Sequence, residues 1–171
     1  ETIDSSVALA LHNKNQEVEV IHLLWALLSN TNSVLNQLLN KMNVNKVAVE
    51  LEAKSYASKL PSVSSVTKES IKLSRNLLSS LQSAEGLMAS FGDKFIAVDT
   101  WLISNLDSSV IKEVLGKYVD LKEAKKELES MRAGKTIDSN SGDENLEALN
   151  KYGIDLNKKD IDGLLDSVIG R

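Results

Sequence analysis

The sequence predicts an all-α fold built from two pseudo-symmetric copies of a four-helix unit, and three observations carry that expectation. Proline occurs once in 171 residues, so almost nothing forbids a helix interior. Apolar residues recur at intervals of three and four along the first 132 residues, the period of a helix face rather than of a strand. The first half of that pattern then returns in the second half. Leu23, Leu24 and Leu28 reappear as Trp101, Leu102 and Leu106, 78 positions on. Val34, Leu35, Leu38, Leu39 and Met42 reappear as Val110, Ile111, Val114, Leu115 and Tyr118, 76 positions on, after a two-residue slip in the connecting turn. A repeat of this length that buries little alone implies two units folding as one domain.

Each element follows from its own residues. Ile3, Val7, Ala10 and Leu11 make the first stripe, and Asn13 is a residue that tolerates the left-handed stop of a helix. Val20 to Leu28 is apolar on several faces, so this short helix should be central and buried. The stripe from Val34 to Met42 has Asn32 or Ser33 as its cap. Val49, Ala53, Tyr56, Ala57 and Leu60 form another stripe, ended by Pro61. After a Ser/Val loop, Thr67 is a candidate cap for a long helix carrying Ile71, Ser74, Leu78 and Leu81 and stopping at Gly92. The first four-helix unit is placed at 1–66 and the second at 67–133. Residues 134–171 are expected to form a linker and the start of a following module. Within it, Gly134 to Asn145 predicts a flexible connector, followed by a short helix from Glu144 to Tyr152. The opening residues read as the middle of a helix already under way, which predicts a further turn or two before them.

Composition narrows the function classes. A net charge of −4, with Lys mixed among Glu, opposes a general nucleic-acid surface. No apolar run reaches the ~18 residues of a membrane span, and a cytoplasmic location fits a chain without cysteine. The two histidines, His12 and His22, lack the spacing of a helical metal pair, so both read as structural. Asp93 and Asp99 could suggest acid–base chemistry, but no histidine motif, nucleophile or ligand set completes a catalytic site. No Gly-x-x-x-x-Gly-Lys-Ser/Thr loop is present, so no residue here can cradle nucleotide phosphates. The fragment is therefore expected to lack enzymatic activity.

Several motifs then carry a resemblance. Asn15-Gln16-Glu17-Val18, followed by His22-Leu23-Leu24 and Ala26-Leu27-Leu28, is similar to the first-repeat signature of Clp N-terminal domains. Gly92-Asp93-Lys94-Phe95-Ile96 resembles the Gly-Asp-Asn-Phe-like turn of ClpB disaggregases, and Met131-Arg132-Ala133-Gly134 resembles their Met-Arg-Gly-Gly. Ala148 to Leu156 resembles their Ala-Leu-Glu-Lys-Tyr-Gly-x-Asp-Leu. The final Asp166-Ser167-Val168-Ile169-Gly170-Arg171 resembles the segment that opens the first ATPase module of Clp-family AAA+ proteins. The chain departs from the family at Glu19-Val20 and Ala97-Val98, where a Thr/Ser-Pro pair is common, and at Ser167, which replaces a proline.

The resemblance implies the N-terminal domain and linker of a ClpB-type disaggregase, a domain that catches exposed apolar segments of unfolded or aggregated polypeptides. It implies a parent that is a homohexameric ring, uses ATP and Mg, and works with an Hsp70-type chaperone system. Val168, Ile169 and Gly170 would lie against adenine only together with the ATPase module. The implied client-binding residues are Asp93, Asp99, Leu77, Leu81 and Phe95. Each also has a structural reading: Asp93 as a turn residue, Asp99 as a favourable charge at a helix start, the three apolar residues as core. Trp25 and Trp101 read as core. The rivals are an adaptor-docking domain of a protease-linked unfoldase, a helical DNA-binding module, and a spacer that binds no client.

Overall fold

The computed structural model describes residues 2–92 and 96–132, and within them eight helices run in chain order with one short parallel ladder. They are α1 (Thr2–His12), α2 (Val20–Ser29), α3 (Val34–Lys41), α4 (Lys46–Ser58), α5 (Arg75–Phe91), α6 (Val98–Asn105), α7 (Ser109–Val114) and α8 (Leu121–Arg132). The expected all-α doubling is present: α1 to α4, then α5 to α8.

Helix α2 is buried along its whole length from Val20 to Leu28, as its all-round apolar sequence predicts. It packs on α1, α3 and α4 of its own unit and on α5 and α7 of the other. One continuous apolar cluster therefore spans both halves, with Leu23, Leu24, Leu35 and Leu39 from the first and Trp101, Leu102, Ile111 and Val114 from the second. Each fully buried Leu or Ile in that shared cluster contributes about 1.5–3 kcal/mol of transfer free energy. Trp25 and Trp101 are both buried, Trp101 with its indole N–H donating to Ser80 Oγ at 3.0 Å. At the far end of α2, the Asn36 amide donates to the carbonyls of Leu27, Leu28 and Asn30, gathering the chain's exit from the helix onto one side chain.

Two local expectations differ from the structure. The left-handed residue after α1 is Lys14 (φ 56°), not Asn13. The Asn15 amide donates to the Ala10 carbonyl and the Lys14 amide to the Leu11 carbonyl, the paired bonds that close a helix C-terminus. The long helix starts at Arg75 rather than after Thr67, with Ser74 Oγ accepting from the Leu77 amide at 3.0 Å. Thr67 instead closes a turn with Ser70. The reason is long-range: β2 (Lys72–Leu73) pairs in parallel with β1 (Glu17–Val18), and the Ser74 amide extends the ladder to the Val18 carbonyl. A helix through residues 72 and 73 would forfeit those bonds. Ser33 caps α3 and Gly92 (φ 74°) ends α5, both as the sequence predicts. The linker, including the expected helix from Glu144 to Tyr152, lies outside the described residues.

Candidate functional site

The start of α6 is the most heavily charged place in the interior. Ala97 offers no side chain to cap the helix, and Asp99 stands in its first turn. The Asp99 carboxylate is buried, and one oxygen accepts from the Thr100 amide at 2.9 Å. Both oxygens are also held by Arg132 at the end of α8, Nε to Oδ2 at 2.8 Å and Nη2 to Oδ1 at 2.7 Å. The same Nη2 reaches Thr100 Oγ1 at 3.1 Å, and the guanidinium lies over the Phe91 ring, 4.7 Å from its centroid. A planar fork matched to a carboxylate, desolvated and stacked on an aromatic face, suits arginine specifically.

The equivalent place in the first unit is the start of α2. There the His22 Nδ1 accepts from the Glu19 amide at 2.8 Å, which supplies a partner for an orphan helix-start donor. That fixes the tautomer, so Nε2 carries the proton and donates to Asn15 Oδ1 at 2.8 Å. Burial lowers the His22 pKa to about 4, so the ring is neutral at pH 7. Burial also raises the Glu19 carboxyl above its ordinary range. No group of acidic, histidine or cysteine side chains among the described residues could hold a metal ion.

Among the described residues, open apolar surface includes Tyr118 and two further places. Val47 and Leu51, one turn apart on α4, are 62% and 61% exposed. A shallow groove of about 470 Å3 runs between α6, α7 and α8, over Ile103, Leu106 and Leu121. A second, smaller groove of about 220 Å3 between α5 and α7 is lined chiefly by serine and asparagine, including Ser79, Ser83 and Asn105.

Residues 1–118 match the Clp repeat (R) N-terminal domain family. The chain belongs to that family. As a Clp N-domain it is similar over its full length to the chaperone protein ClpB of Wolinella succinogenes (56% identical) and of Helicobacter hepaticus (52% identical). The chain spans about a fifth, 20%, of each of those relatives. Its fold is that of the Hsp104 N-terminal domain from Candida albicans, with a TM-score of 0.72 at 21% identity, covering 81% of this chain and 91% of that one.

Against this Clp N-domain the residues named from sequence fall into three groups. Asp93 and Phe95, like Val168, Ile169 and Gly170, lie outside the described residues. Leu77 and Leu81 are fully buried in the shared core and line no open groove, because the face of α5 that carries them packs on α6. Asp99 is also interior, with both oxygens engaged by Arg132 rather than free at a rim. Sequence reasoning missed Arg132 as its partner. One signal was available: Ala124, Leu128 and Arg132, four residues apart, form the buried stripe of α8, and a charge on such a stripe demands a buried counter-charge.

Proposed function

We propose that this Clp N-domain captures exposed apolar segments of unfolded or aggregated polypeptides and passes them to the AAA+ ring of an ATP-dependent disaggregase. The observation that carries the reading is the full-length similarity to chaperones named ClpB, at more than half of all positions. The open apolar surfaces at Val47 and Leu51 and over Ile103, Leu106 and Leu121 support it, since a client must meet such side chains before they are buried. We assign contact to these exposed residues rather than to Leu77 and Leu81. Asp99 acts on capture indirectly, by fixing α8, which forms one wall of the groove.

In this reading the domain contributes no chemistry of its own. ATP and Mg bind in the parent's ATPase modules, and the parent is a cytoplasmic homohexamer served by an Hsp70-type system. A tether of some tens of residues would keep captured chain at high local concentration near the ring. The ClpB relatives favour this over adaptor docking for a protease. The test is fluorescence anisotropy of the chain against one labelled protein in its native form and in a reduced, carboxymethylated, permanently unfolded form. Saturable binding to the unfolded form alone is expected. Equal binding to both forms, or to neither, overturns the reading.

A further inference from the structure

The groove between α6, α7 and α8 combines an apolar floor with a lining richer in lysine than in carboxylate. Leu106 is buried in its floor, with Ile103 and Leu121 half-buried beside it. Lys112 of α7 and Lys122 and Lys125 of α8 stand around those three residues. All three lysines are exposed, and none forms an ion pair with another described residue. Among the described residues, Asp107 is the one carboxylate on the lining. In a chain of net charge −4, three unpaired ammonium groups on two helices around an aliphatic floor form a local reversal of sign.

The two halves of that surface select a ligand together. An aliphatic floor takes one or two Leu- or Ile-type side chains, and each buried methylene adds to affinity without regard to sequence. The lysines add what the floor lacks, a preference for flanking charge. Carboxylates on either side of the apolar residues would meet ammonium groups at the groove's edges, whereas basic flanks would be repelled. Lys suits a surface that must accept many sequences, since its single charge on a flexible stem requires no fixed geometry.

We propose that this groove is a docking site for polypeptide segments in which one or two aliphatic residues are flanked by acidic residues. The proposal rests on the client-capture reading and specifies its chemistry: the domain sorts among apolar segments by the charge beside them. The Asp99–Arg132 pair belongs to the same device, since it anchors the C-terminal end of the helix that carries Lys122 and Lys125.

The test titrates the full chain with two labelled peptides that share their Leu positions, Glu-Glu-Glu-Ser-Leu-Leu-Ser-Glu-Glu-Glu and its Lys counterpart. The permanently unfolded protein serves as a third probe. The acidic peptide is expected to bind at least tenfold more tightly than the basic one, with an advantage that shrinks between 50 mM and 500 mM salt. The K122E/K125E variant, whose changes are exposed and leave the core untouched, is expected to lose about tenfold for the acidic peptide. Circular dichroism on the same samples checks that its helices are intact. Should the unfolded protein bind while the two peptides bind alike, the charge-selective groove is refuted and client capture stands. If no probe binds, both fail. Tighter peptide binding by a D143N/E144Q/E147Q chain would assign the groove to this chain's own acidic segment and overturn a partner in trans.

Discussion

Asp99→Ala is expected to cost the domain about 3–5 kcal/mol of stability, a loss that the helix-start reading of Asp99 would not produce. Asp99 and Arg132 side chains are only 3% and 2% exposed, and two hydrogen bonds of 2.8 and 2.7 Å join them. Removing the carboxylate leaves a guanidinium with little water to solvate it, and breaking a buried pair from one side costs on the order of 3–5 kcal/mol. Losing only the interaction with the helix dipole would cost about 0.3–1 kcal/mol. Thr100 Oγ1, the Phe91 ring and the remaining contacts of Arg132 hold part of the stranded charge, which places the expectation near the lower end, about 3 kcal/mol. Against a typical total of about 5–15 kcal/mol, that is a large fraction. Urea unfolding followed by Trp fluorescence reads it directly, because Trp25 and Trp101 are both buried and sit one in each unit. The double variant Asp99→Met/Arg132→Met should recover most of the loss, since a hydrophobic replacement of both partners leaves no charge uncompensated. A single variant within about 1 kcal/mol of the parent, with an unchanged denaturant slope, would refute the reasoning and return Asp99 to the surface.

Stability should also fall as pH drops from about 6.5 to 4. The folded His22 resists protonation while the unfolded one does not, so the unfolded state takes up the proton and gains free energy over that window. A shift from 6.5 to about 4 corresponds to about 3 kcal/mol at its lower end, and the raised Glu19 pKa opposes it. His22→Gln keeps an acceptor for the Glu19 amide and a donor for Asn15 without titrating. Urea midpoints at pH 7 and 4.5 should therefore differ less in that variant than in the parent. Gly116→Ala should destabilise by about 1–3 kcal/mol, because the added methyl would be driven against the backbone carbonyl of Lys112, which already accepts the Gly116 amide. A thermal midpoint equal to the parent's would show that the end of α7 can shift freely.

Much of the fold was legible because its signals are local and periodic. The stripes of α2, α3 and α4, the cap at Ser33 and the stop at Gly92 each depend on residues within one or two turns. The errors arose where a distant partner chose between locally equivalent options. Thr67 and Ser74 are both good caps, and only Val18, more than fifty residues away, makes Ser74 the winner by extending the β1–β2 ladder. Asn13 has the better intrinsic tolerance of a left-handed backbone, yet Lys14 occupies it, since Asn15 must then face His22. The site was less legible for the same reason. A carboxylate in a first helical turn looks alike whether it faces water or Arg132, and the apolar floor of the groove mixes three helices.

The two units solve one structural problem with different chemistry, and the difference has consequences for how the domain responds to its surroundings. His22 and Thr100 are equivalent by the 78-residue repeat, each in the first turn of a buried helix with orphan amides to satisfy. In the first unit the answer is local: an imidazole accepts the Glu19 amide three residues back and anchors Asn15 seven residues back. In the second unit the answer recruits α8, because Asp99 accepts the Thr100 amide and is itself held by Arg132, 33 residues away. The first helix start is therefore sensitive to acid. The second couples α6 to the end of α8, so whatever alters Asp99 also alters the helix that bears two of the groove's three lysines. A neutral cap at α6 would have given the same helix without that coupling. The buried pair contributes little net stability over an apolar alternative, and its specific effect is to fix where α8 lies.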